Sequence, residues 1–153
     1  MHNNIEAERS YQLDAWINSN REQILVETTQ AIKHSDNTHF QDLSEEVLFY
    51  LTERYLPFSC FQPLNGKEYA TFAAFSLKRG ACLEEELKIL RLFYRTLESI
   101  IWHDRELEIS LRQFMCERIQ LTGTLVSAGL TTAHLKCLMS GSYNQEALNG
   151  QSA

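Results

Sequence analysis

The sequence predicts an all-α fold of about six to seven helices. Three observations carry this prediction. Apolar residues recur three and four positions apart along most of the chain. No convincing period-2 run bounded by turn residues occurs, and Asn65-Gly66 and Asn149-Gly150 have no strands on either side to tie into a hairpin. Both prolines fall in one segment, PFSCFQPLNG (57–66), so the rest of the chain is free of the residue that most disrupts a helix.

The elements follow in order. A short first helix is expected near 5–17 and a second near 20–34, with Ser19 and Glu22 at capping-box spacing between them. The polar stretch HSDNTH (34–39) leads to a helix near 43–56, opened by Asp42 with Glu45. The proline segment is the main loop, and Asn65 with Glu68 opens a helix near 66–79. Gly80 ends that helix, as a residue that enters the left-handed conformation without a Cβ penalty. The next helix, 82–102, has Glu84, Glu85 and Glu86 in its first turn, where they oppose the positive end of the dipole. At 100° per residue, Leu83, Leu87, Leu90, Tyr94, Leu97 and Ile101 form one stripe, widened by Ile89, Phe93 and Ile100. Glu84, Lys88, Arg91, Arg95 and Glu98 occupy the opposite side. So wide an apolar arc needs at least two packing partners, which puts this helix at the centre or at an interface. Two further helices are expected at 104–121 and 124–139, followed by a polar, fraying tail, GSYNQEALNGQSA. The division is one domain over 1–139 and a flexible tail over 140–153.

Composition narrows the function classes. A chain of 153 residues is long enough to bury roughly two thirds of its unfolded surface. With a net charge of −6 and no basic face, it has nothing to neutralise a run of phosphates or an anionic membrane. No apolar run approaches the roughly 20 residues that span a bilayer. The N-terminus MHNNIEAERS is polar and does not read as a signal peptide. The four cysteines, Cys60, Cys82, Cys116 and Cys137, are widely spaced and form neither a CxxC pair nor a disulfide framework. These features point to a reducing, cytoplasmic setting with no nucleic-acid or membrane partner.

The residues that could carry chemistry are few. His103 and Asp104 are neighbours, but adjacent helical residues diverge by about 100° and do not make a dyad by themselves. His134, in TTAHLKCLMSG, lies near the C-terminal end and is followed by Lys, as in phosphotransfer helices. His34 and His39 could pair on a metal, yet no carboxylate or cysteine is spaced to complete the set. No histidine clearly occupies an apolar helix face of the kind a haem requires. The motifs GxSxG, HExxH, GxGxxG and the phosphate-binding loop are missing. The expectation is therefore no catalysis, no metal and no cofactor. The aromatic residues Phe72, Phe75, Phe93 and Tyr94, with others over 49–69, either fill the core or line an apolar pocket.

Two segments resemble a known family. AWINSNREQILVETTQAI (15–32) is similar to the opening of the N-terminal domains of RsbR-type stress regulators, and YATFAAFSLKRGACLEEELKILRLFYRTLESI (69–100) to their second half. Residues 15–102 carry the resemblance, with Arg79, Gly80, Leu83 and Glu84 its most distinctive points. It implies a non-haem, globin-like domain of a bacterial stress response that forms homodimers and passes a signal to a STAS, kinase or phosphatase partner. No STAS segment follows here. A second likeness, of Ala81-Cys82 and Leu90-Arg91, is to the chromophore region of the phycobiliproteins. It implies a bilin on Cys82, although Glu84-Glu85 stand where that family has Arg-Asp.

For the homodimer, residues Leu107, Leu111, Phe114, Leu121 and Leu125 recur at near-heptad spacing, as a dimer seam requires. Arg118 falls on the same stripe. The expected mechanism is a shift of helix packing at this seam, handed on along 104–139.

Overall fold

The computed structural model describes residues 2–35, 43–55, 66–78, 80 and 82–141. Within them the fold is all-α: α1 (His2–Ser19), α2 (Arg21–Lys33), α3 (Glu45–Tyr55), α4 (Gly66–Lys78), α5 (Leu83–His103) and α6 (Ile109–Ser140), with no strand among the described residues. Residues 57–65 of the proline segment, with Cys60 and Asn65 among them, His39, Asp42, Arg79 and the tail beyond Gly141 lie outside the described residues.

Helix α5 is central, as its wide apolar arc requires. It packs against α2, α3 and α6. Leu90, Phe93, Leu97 and Ile101 are wholly buried, each worth roughly 1.5–3 kcal/mol of transfer free energy. Its outward side keeps Glu84, Lys88, Arg91 and Arg95 in water, with Lys88 and Glu84 paired one turn apart at 3.6 Å. The acidic first turn holds one surprise. Glu86 is 2 % exposed and accepts a 2.7 Å hydrogen bond from the Ser76 hydroxyl of α4. Position 86 lies three and four residues before Ile89 and Leu90, so it points into the apolar arc, and the Ser76 hydroxyl offsets part of its desolvation.

The corner between α4 and α5 is built as expected. Gly80 has φ +79°, and its N–H donates to the Leu77 carbonyl at 3.0 Å. The capping box predicted at Ser19 and Glu22 is not, and those opened by Asp42 and Asn65 fall outside the described residues. The residue that opens α2 is Asn20, whose side chain donates back to the Trp16 carbonyl of α1 at 2.8 Å and makes no cap. In α3, Ser44 accepts from the Val47 N–H at 3.3 Å. Helix α1 is tied to the far end of α5 through Trp16, whose indole N–H donates to Asp104 at 2.8 Å. Arg112 closes the α5–α6 corner by donating to the carbonyls of Leu107 (2.9 Å) and Trp102 (3.1 Å).

The largest departure from expectation is α6. The two helices predicted at 104–121 and 124–139 are one, 32 residues and about 48 Å long at 1.5 Å per residue. Gly123, in the gap between the two predicted helices, and Gly129 are places of close approach. A Cβ on Gly123 would stand 3.1 Å from the Tyr94 ring of α5, and one on Gly129 would stand 2.5 Å from the Tyr69 ring of α4. Each glycine lets an aromatic ring lie against the helix backbone. That contact offsets the cost of about 1 kcal/mol that glycine brings to a helix interior. The helix ends at Gly141, φ +63°, whose N–H donates to the Cys137 carbonyl at 3.0 Å.

Candidate functional site

Continuity of α6 changes which residues share a face. The inward side holds Met115, Ile119, Val126, Leu130, Ala133, His134 and Cys137, all buried against α4 and α5. On the other side a second stripe runs at alternating spacings of four and three: Leu107, Leu111, Phe114, Arg118, Leu121, Leu125, Ala128, Thr132, Leu135 and Met139. Its two ends differ. Leu107, Leu111 and Phe114 are half-buried on the chain's own core. The guanidinium groups of Arg9 (α1) and Arg118 lie 5.7 and 5.5 Å from the centre of the Phe114 ring. Beyond Arg118 the stripe faces solvent. Leu121, Leu125 and Leu135 are about half exposed and Met139 is 87 % exposed, with Ala128 and Thr132 exposed between them.

Of the five predicted seam residues, three therefore cover the core and two, Leu121 and Leu125, stand on the open face. The continuation through Leu135 and Met139 is invisible to a reading that ends one helix at 121 and starts another at 124. The signal was nonetheless present: from Ile119 to Ser140, Lys136 is the only Asp, Glu, Lys or Arg. A surface helix facing only water would carry charges there, as the back of α5 does. The threonine hydroxyls on this half are turned inward to the helix itself. Thr122, Thr124, Thr131 and Thr132 donate to the carbonyls of Arg118, Gln120, Ser127 and Ala128 at 2.7 to 3.1 Å. With these donors bonded inside the helix, the face can be covered without orphaning them. Shallow grooves flank the stripe, one against α4 (Tyr69, Ala70, Gly129, Lys136) and one against α5 (Arg91, Arg95, Gln120, Ser127).

The aromatic pocket candidates do not gather in one place. Phe93 is wholly buried, and its ring meets that of Tyr94 edge-on at 5.3 Å. Tyr94 stands between α5 and α6 on Gly123, and burial raises its phenol well above the usual range. Phe72 packs half-buried against the core, and the Phe75 side chain lies outside the described residues. Cys82 is exposed at the residue preceding α5.

The histidines are likewise dispersed. His103 donates from Nδ1 to the Ser99 carbonyl at 2.7 Å, while Asp104 accepts from Trp16 and from the Glu106 N–H, so the neighbours serve separate structural bonds. His134 is wholly buried with neither ring nitrogen hydrogen-bonded, and desolvation lowers its pKa. It sits on the apolar face of α6, a position that the sequence, read as two helices, did not assign to it. With the ring wholly buried, its nitrogens have no access to a phosphoryl donor in this conformation. His34 is exposed at the end of α2. No cluster of three or more metal-ligating side chains occurs among the described residues, and none of the described helices is long and apolar enough to cross a membrane.

Comparison with known proteins gives no match: no family model, no curated protein and no solved structure is significantly similar to the chain.

Proposed function

We propose that this chain is a non-catalytic regulatory domain of globin-like type that works as a homodimer, joined through the outward face of the second half of α6. The observation that supports this reading is the exposed, nearly uncharged stripe from Leu121 to Met139 on a helix that is otherwise well packed. A large apolar face rimmed by polar residues marks an interaction surface. The same helix contacts α4 through Gly129 and α5 through Gly123, so pressure on its outer face is transmitted to Tyr69 and Tyr94 behind it. A signal is passed on as a small shift of α6 against these rings, read by a signalling protein such as a STAS, kinase or phosphatase domain. The resemblance of residues 15–102 to RsbR-type input domains agrees with this assignment, as does a cytoplasmic location.

The test is the mass of the purified chain by size-exclusion chromatography with light scattering. The reading expects twice the 17.7 kDa of one chain at micromolar concentration, without a visible absorption band. A strictly monomeric chain removes the mechanism, and a coloured one replaces it with pigment binding.

A further inference from the structure

If two copies pair through α6, the stripe itself limits how they can be aligned. We infer that the two α6 helices cross antiparallel, with the two-fold axis beside residue 130, so that Leu121 meets the partner's Met139, Leu125 meets the partner's Leu135, and Ala128 meets the partner's Thr132. This rests on the dimer reading above and goes further, to the register and polarity of the pair.

Three observations decide it. First, the open part of the stripe has its large side chains at the ends (Leu121, Leu125, Leu135, Met139) and its small ones, Ala128 and Thr132, in the middle. In an antiparallel pair centred at 130, small residues meet at the crossing point, where backbones come closest, and large ones fill the diverging ends. A parallel pair would also stack Ala128 on itself, but it would carry the second constraint badly. Arg118 occupies the next stripe position, and its guanidinium stands 5.5 Å from the Phe114 ring centre, beside Arg9 of α1 on the same ring. Parallel helices in register bring Arg118 onto the partner's Arg118, placing like charges in the seam. An antiparallel pair moved one heptad toward the N-terminus sets Arg118 against the partner's Leu135 and runs into the segment that α1 already covers. The alignment centred at 130 is the longest that leaves Arg118 outside. Third, the Thr132 hydroxyl at the crossing is bonded within its own helix to the Ala128 carbonyl at 3.0 Å, so burial there strands no polar group.

The register has a consequence for output. The two Ser140 ends leave the pair in opposite directions, about 30 Å apart at 1.5 Å per residue. A protein partner acting at the end of α6 therefore meets two separated sites and not one joined coil.

The test uses the full chain with Leu121→Cys in one copy and Met139→Cys in the other, co-expressed with distinguishable tags, oxidised mildly and resolved without reductant. The wild-type chain, with its own four cysteines, sets the background. Both positions are exposed, so neither substitution disturbs the core. The inference expects a disulfide-linked pair containing one copy of each variant, and no self-linked species above background from either variant alone, because its two cysteines lie about 27 Å apart along the helix axis. Self-linking of Leu121→Cys shows parallel helices and overturns the register while the dimer stands. A dimer in light scattering with no mixed cross-link overturns the location of the interface. A wild-type monomer removes the dimer itself, whether its apolar face is then covered by another protein or by lipid.

Discussion

The back of α5 and the back of α6 present opposite surfaces. Outward on α5 are Glu84, Lys88, Arg91 and Arg95, all hydrated, over a row of wholly buried Leu90, Phe93, Leu97 and Ile101. Outward on α6, after Arg118, are Leu121, Leu125, Ala128, Thr132, Leu135 and Met139 over an equally buried Val126, Leu130 and His134. One helix has its charged face toward water, and the other has an apolar face on both sides. The fold covers the apolar residues of α5 except Trp102 at its C-terminal end, and it leaves about half of those on α6 exposed. That exposed remainder is why we read the second half of α6 as the working surface.

The contrast can be broken most sharply by truncating one leucine on each helix. Leu97→Ala, at a wholly buried site of α5, should cost about 2–5 kcal/mol in urea unfolding. Leu125→Ala, on the open face of α6, should change the stability of the isolated chain by less than about 0.5 kcal/mol. Equal losses would mean that Leu125 is already covered within the chain. Next in size is Gly129→Ala. Alanine favours the helix by about 1 kcal/mol, but its Cβ would meet the Tyr69 ring, so a net loss of about 1–2 kcal/mol is expected by the same unfolding measurement. A gain would show that α4 yields easily and does not hold α6 in place.

A pH titration of stability addresses the inward face. Burial holds His134 neutral and lowers its pKa below the ordinary 6.5, so below that value the unfolded chain binds a proton that the folded chain does not. Stability should be flat above pH 6.5 and fall as the pH drops through it. His134→Phe should flatten the upper part of that decline. If the two curves superimpose between pH 7 and 5.5, the imidazole is solvated or paired in solution.

Much of this fold was legible in the sequence. The period of α5 named its buried residues almost completely because local pattern and tertiary environment agree there. Gly80 was legible because a left-handed corner needs no distant partner. The gap predicted between 121 and 124 fails for the opposite reason: a glycine in a helical pattern signals either an end or a close approach, and the ring that decides at Gly123, Tyr94, belongs to another helix. That single error hid the rest. It divided α6 in two, left His134 near an apparent end instead of on a buried stripe, and stopped the predicted seam at Leu125. Glu86 falls in the first turn as expected, but its burial was not legible, since its Ser76 partner lies ten residues away on another helix. The pocket candidates were not separable from core by type, and only packing distributes Phe93 to the interior and Tyr94 to the α5–α6 contact.

The central claim is that the outward face of the second half of α6, beyond Arg118, is an interface and carries none of the chain's own stability. The most direct measurement is sedimentation velocity on the Leu125→Glu, Leu135→Glu double variant, with thermal unfolding followed by circular dichroism on the same sample. The account predicts a monomer with the wild-type helix content and an unfolding midpoint close to that of the wild-type chain diluted to its monomer. A variant that remains dimeric, or one that loses its helices, would contradict it.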